Sequence, residues 1–194
     1  MRISDDRYER DRRKYHLAMW MIQHGARTRT ITQWTGLTKY RVRTLVRAYE
    51  QPRHIKRHRG ASPSQPTYFF RSLALECETA VFGYIASQTQ TIPEAAPPEG
   101  GRPSPGLERG ERLMSAFEVY QALVPNARIS LEHAILLVRQ LSEHNVLSLR
   151  HCDSCGALIV FDRLGSQDVR CPFCRLAGHH PENVAASEGT GFVK

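Results

Sequence analysis

The chain has 194 residues and carries 27 Lys and Arg against 19 Asp and Glu, a formal net charge of +8 with its nine histidines neutral. That length and a 41% hydrophobic content suffice for a buried core, which excludes a disulfide-stapled miniprotein and wholesale disorder. No run approaches the roughly 20 consecutive apolar residues of a membrane span, and the mixed acids and bases at 2–12 form no secretory leader. A cytoplasmic protein without a membrane partner is therefore expected.

The charge is uneven. Residues 1–60 hold 16 Lys and Arg against five acids, net +11, and the other 134 residues net −3. A local excess of this size attracts polyanions, of which nucleic acid is the commonest. The plainer reading is a solvated basic surface.

In chain order, Leu17, Trp20, Met21 and His24 recur at helical spacing within 8–24, which predicts an amphipathic helix stopped by Gly25. A short helix at 29–35 is followed by Gly36-Leu37, and Thr38 suits the N-cap of a third helix running to about residue 50 and ended by Pro52. Its face with Val42, Leu45, Val46 and Tyr49 is apolar, whereas Tyr40, Arg43, Thr44 and Arg47 lie opposite, flanked by Lys39 and Arg41.

Ile31, Gly36, Leu37, Val42 and Leu45 occupy the places of a helix-turn-helix, with Thr32 where such motifs usually carry alanine. In that motif Thr38, Lys39, Tyr40, Arg43 and Thr44 face base edges, Arg43 being suited to a bidentate guanine contact. Arg47, with Arg53, Lys56, Arg57 and Arg59, then holds phosphates. An ordinary amphipathic hairpin beside a solvated linker is the alternative.

A boundary is expected near residue 60, where a Gly/Ser/Pro-rich stretch begins. Residues 68–87 place Phe70, Leu73, Ala74, Cys77, Ala80, Val81, Tyr84 and Ile85 on one predicted helical stripe, apolar enough for a subunit boundary as well as the core. A Pro/Gly-rich excursion at 91–110 is predicted to be flexible. Two further helices follow, at 111–124 with Leu113, Phe117 and Tyr120 inward, and at 130–144, capped by Ser130, with Leu131, Ala134, Ile135, Val138 and Leu141 inward. The 61–147 region thus reads as a helical bundle.

The remainder reads as a small module at 148–180 and a tail at 181–194, with β-prone pieces at 158–161 and around Val169. Cys152-Asp-Ser-Cys155-Gly156 is separated by fifteen residues from Cys171-Pro-Phe-Cys174. Two C-x2-C knuckles at this spacing close a tetrahedron of thiolates, which predicts a structural zinc ribbon holding one Zn2+ per chain. An iron–sulfur cluster is the main alternative, ahead of disulfides. Four protein ligands leave no open position for catalysis. Arg150, Arg170 and Arg175 are expected to offset the negative charge, His151, His179 and His180 to lie at the surface, and Cys77 to be a small core residue. No phosphate-binding loop, zinc-protease or nucleophile-elbow motif is present, so no catalytic residue and no enzyme is indicated.

The run His16-Leu-Ala-Met-Trp-Met-Ile-Gln-His-Gly-Ala-Arg27, the helix-turn-helix after it, the helical middle, and the four cysteines following Leu147-Ser-Leu-Arg-His-Cys152 together resemble the FlhC subunit of the bacterial flagellar master regulator. The likeness extends over most of residues 8–175, although the 91–110 excursion departs from it. The resemblance implies a transcriptional activator acting in a heterohexamer of four FlhD and two FlhC chains. Such a complex binds double-stranded promoter DNA upstream of flagellar operons and recruits RNA polymerase, and its four cysteines hold zinc. A divergent FlhC-like regulator of non-flagellar genes and a zinc-ribbon scaffold protein are the other readings.

Overall fold

The computed structural model describes residues 5–53, 60–93, 105–144, 146–165 and 170–178. These are mainly helical, with one two-stranded antiparallel sheet. Helix α1, Asp5–Gln23, buries Leu17, Ala18, Met21 and Ile22. It ends where Gly25 takes φ +72, Gly25 N donating to Ile22 O and Ala26 N to Met21 O. That pair of bonds satisfies the last carbonyls and needs a residue without a Cβ penalty.

Helix α2, Thr28–Thr35, and helix α3, Lys39–Arg53, meet at Gly36, whose left-handed backbone (φ +69) lets its N–H cap Thr32 O at 3.0 Å. Leu37 is buried beneath the turn, and Thr38 Oγ1 accepts from Arg41 N at 3.3 Å, the N-cap bond its side chain favours.

A single 3-10 turn at Pro66–Phe70 leads into α4, Leu73–Gln88, whose N-cap Ser72 accepts from Leu75 N. The expected stripe over 68–87 is only partly realised. Of that stripe Ala80 and Ile85 are buried and Phe70, Leu73, Cys77 and Val81 half-buried, whereas Ala74 is exposed and Tyr84 is 51% exposed; Leu75, Phe82 and Ala86, off the stripe, are buried. The reason is that α4 packs on two layers at once, so burial follows two faces instead of one stripe.

Helix α5, Leu107–Leu123, begins four residues before its predicted start. Gly110 lies against α1 and α2: a Cβ there would stand 2.6 Å from Leu17 Cδ2 and 3.2 Å from Trp34. Arg109 donates to Thr91 O at 2.9 Å and to Ser142 Oγ at 2.6 Å. Both ends of the 91–110 excursion are therefore packed, Thr91 and Ile92 being buried; residues 94–104 lie outside the described residues.

Helix α6, Leu131–Glu143, is capped by Ser130 as expected. Strands β1, Leu147–His151, and β2, Leu158–Asp162, pair with Leu149 opposite Val160, and the chain continues to α7, Pro172–Ala177. Beta1 has no counterpart in the sequence expectations, and the region around Val169 lies outside the described residues.

Helix α4 is central. The 3-10 turn, α5 and α6 pack on one side of it, β2 and α7 on the other. One apolar cluster runs from Leu17 and Ile31 through Phe82 and Phe117 to Leu147 and Val160, so the 1–60 and 61–147 regions share a core. At the other side Gly83 admits the hairpin, since a Cβ there would stand 2.7 Å from Val160 Cγ2.

Two buried acids join distant elements. Glu132 accepts from Arg27 N at 2.9 Å and Thr30 Oγ1 at 2.8 Å, and Glu78 accepts from Tyr120 OH at 2.7 Å and Arg128 N at 2.8 Å. Buried polar groups are tolerated where such donors replace water.

Candidate metal centre and basic helical face

Cys152 follows β1, and Cys155 lies in the turn that joins it to β2. Gly156 (φ +70) closes the turn, donating to Cys152 O at 2.9 Å, while Cys152 N donates to Ala157 O at 2.9 Å. The second pair sits on a helix instead of a second hairpin. Cys171 N-caps α7, Pro172 occupies its first turn, and Cys174 N donates to Cys171 Sγ at 3.2 Å. The β1–β2 hairpin thus flanks the first knuckle.

The four sulfurs lie within 4.8 Å of one another, with Cys155 Sγ 3.5 Å from Cys171 Sγ and Cys152 Sγ 4.0 Å from Cys174 Sγ. Sulfurs about 2.3 Å from a shared tetrahedral centre stand about 3.8 Å apart, whereas a disulfide brings them to about 2.05 Å. All four are free cysteines. The donor set fits one metal ion held by four soft ligands.

The local field favours the thiolate at Cys152, and not at Cys171 or Cys174. Burial opposes ionisation of Cys152, but N–H groups of Cys155, Cys171 and Ser154 turned toward its sulfur outweigh burial and bring its pKa down to about 6. Burial raises Cys171, and the hydrogen bond with Cys171 raises Cys174 most. These thiols hold protons that a cation displaces on binding.

Cys171, Cys174 and Cys152 are buried with Ala80 and Ile159, and Cys155 is exposed. His151 is exposed, its Nδ1 2.9 Å from Gly156 O. His179 and His180 lie outside the described residues. Cys77 is half-buried on α4, its thiol pushed up by burial and by Cys171 and Glu78. Two of the three arginines expected to offset the cluster's charge have other engagements. Arg175 pairs with Glu76 of α4, and Arg150 lies 4.1 Å above the Phe161 ring.

The second site is the outer face of α3. Thr38, Lys39, Tyr40, Arg41, Arg43, Thr44 and Arg47 are all exposed, while Val42 and Val46 are buried and Leu45 and Tyr49 half-buried. Tyr40 is 80% exposed. None of the Lys39, Arg41, Arg43 and Arg47 side chains meets an acidic or aromatic partner among the described residues. On α1, by contrast, Arg12 pairs with Glu9 at 2.8 Å, Lys14 with Asp11 at 3.2 Å, and Arg13 with Glu111 of α5, its Nε donating at 3.0 Å. Arg53 ends α3, its side chain outside the described residues together with Lys56, Arg57 and Arg59.

Sequence reasoning missed the polar links that set the pose of this head. Trp20 Nε1 and His24 Nε2 both meet Glu118 Oε1, the latter at 3.1 Å, so the helical stripe on α1 ends in a polar link to α5. Thr32 Oγ1 is buried without a hydrogen-bond partner. The motif's usual alanine would leave no such group.

No protein-family model matches this sequence, and no curated protein matches it. Among the described residues no helix is long and apolar enough to cross a membrane.

Proposed function

We propose that this chain is a zinc-containing, DNA-binding transcriptional activator subunit of the FlhC type. Its partners on this reading are an FlhD-like subunit, double-stranded promoter DNA and RNA polymerase, and its targets are flagellar operons. The observation that carries the DNA contact is the set of four exposed cations on α3 that no acid of the described chain neutralises. Such unspent charge, on the helix after a glycine turn, suits a duplex whose phosphates fix register while its major groove admits the helix.

For the metal, four thiols at tetrahedral spacing and without an open ligand position suit structural Zn2+. Its chemistry is to cross-link β1, the turn and α7 when bound. Partner choice and flagellar targets rest on the family resemblance.

Native mass spectrometry of the chain co-expressed with an FlhD-like subunit tests the assignment. A mixed complex with one zinc per copy of this chain is the expected result. A zinc-loaded chain that ignores the FlhD-like subunit overturns the family reading and leaves a stand-alone DNA-binding or scaffold protein.

A further inference from the structure

We infer that α3 discriminates sequence through an apolar contact to a thymine C5-methyl group, made by the Tyr40 ring and the Thr44 methyl between flanking arginines. The inference rests on the DNA-binding reading above and names the chemistry that the same face selects.

At 100° per residue, the positions directly opposite the inward Val42, Val46 and Tyr49 are Tyr40, Thr44 and Arg47. Arg43 and Lys39 lie on one flank of that line and Arg41 on the other. The centre of the outward face is therefore more apolar than the charge count suggests.

The two threonine hydroxyls are already used by the helix. Thr44 Oγ1 donates to Tyr40 O at 3.1 Å, and Thr38 Oγ1 accepts from Arg41 N at 3.3 Å. Thr44 is exposed and spends its only proton on its own backbone, which leaves the methyl as the group it has to offer. Beside it stands the Tyr40 ring, 80% exposed, a large apolar surface left in water. In the major groove the thymine methyl is the apolar feature of the base edges, and guanine O6 and N7 are the acceptors suited to arginine. An apolar centre between cations complements thymine beside guanine.

The test uses the zinc-loaded full chain, alone and co-expressed with the FlhD-like subunit, to enrich duplexes from a random library. Each thymine of the enriched duplex is then replaced in turn by deoxyuridine, which lacks the methyl. At one or two positions that replacement is expected to weaken wild-type binding about fourfold, the worth of one buried methyl-sized group. Thr44→Ser, which keeps the hydroxyl and loses the methyl, is expected to show the same loss on the thymine duplex and no further loss on the deoxyuridine duplex. Thr44→Val keeps the branched methyl and binds both as wild type does.

Tolerance of deoxyuridine at every thymine overturns the inference, as does additivity of the two losses. Weakening by Thr44→Val assigns the contact to the hydroxyl and overturns it too. If the wild type enriches no duplex over an Arg43→Ala/Arg47→Ala variant, the DNA reading itself falls, an outcome distinct from uracil tolerance.

Discussion

Helix α3 of the head and the C-terminal ribbon are both rich in arginine, and they use it in opposite ways. In the ribbon, Arg150 covers Phe161, Arg163 donates to His144 O at 2.6 Å and Arg175 pairs with Glu76. On α3, Lys39, Arg41, Arg43 and Arg47 meet no acid or ring among the described residues. Arg163 and Arg175 tie the ribbon to the body and Arg150 packs within the hairpin, whereas the cations of α3 remain available to a polyanion. Net charge alone does not make this distinction; what each guanidinium touches does. Both regions are seated by a glycine, the head by Gly110 of α5 against Leu17 and the ribbon by Gly83 of α4 against Val160.

The largest expected effect is on the ribbon. Cys171→Ser should abolish binding of the single metal ion and unfold β1, β2 and α7, because metal-binding energy at such a site, on the order of 10 kcal/mol, is also folding energy. Metal content by mass spectrometry and amide exchange would check it. Exchange confined to the ribbon sharpens the contrast with the head, and equal loss in α1–α3 would merge the two into one cooperative unit.

The two glycine seats come next. Gly83→Ala and Gly110→Ala each push a methyl into a neighbouring side chain at 2.7 and 2.6 Å, and overpacking of this kind typically costs about 1–3 kcal/mol. Denaturant melts should show both losses. Val160→Ala should relieve the first and leave the second unchanged.

A smaller effect depends on pH. Burial would raise the Glu118 carboxyl, but hydrogen bonds from Trp20 and His24, with the charge of His24, hold it below its ordinary value of 4.5. Since its folded pKa is depressed, its contribution is complete above 4.5 and is lost as pH falls through the lower folded value. Glu118→Gln should remove this part of the acid destabilisation, read from thermal melts on either side of that pH. Smallest is Thr32→Ala. It deletes a buried hydroxyl with no partner, and equilibrium unfolding should change by less than about 0.5 kcal/mol, toward greater stability.

The four cysteines were legible in the sequence because two C-x2-C pairs constrain local geometry strongly, and the α2–Gly36–α3 turn because glycine marked its left-handed residue. The helical setting of the second pair was less so, although Pro172 after Cys171 is an ordinary helix-start signal. Strand β1 escaped notice since Leu147 and Leu149 give only two alternating apolar positions in five residues. Burial on α4 departs from a single stripe because a helix between two layers is covered on two faces. Glu78 and Glu132 look like surface acids in the sequence. Their donors Tyr120 and Arg27 lie 42 and 105 residues away, beyond any local pattern.

The most direct test of the contrast is the salt dependence of binding to an enriched duplex, measured for Arg43→Ala/Arg47→Ala and for Arg150→Ala/Arg163→Ala. Each lost phosphate contact removes about 0.9 from the slope of log K against log salt. The α3 pair is expected to lower the slope by about 1, the phosphate contact of Arg47, while the ribbon pair leaves it unchanged. An unchanged slope for the α3 pair, or an equal fall for both pairs, would contradict it.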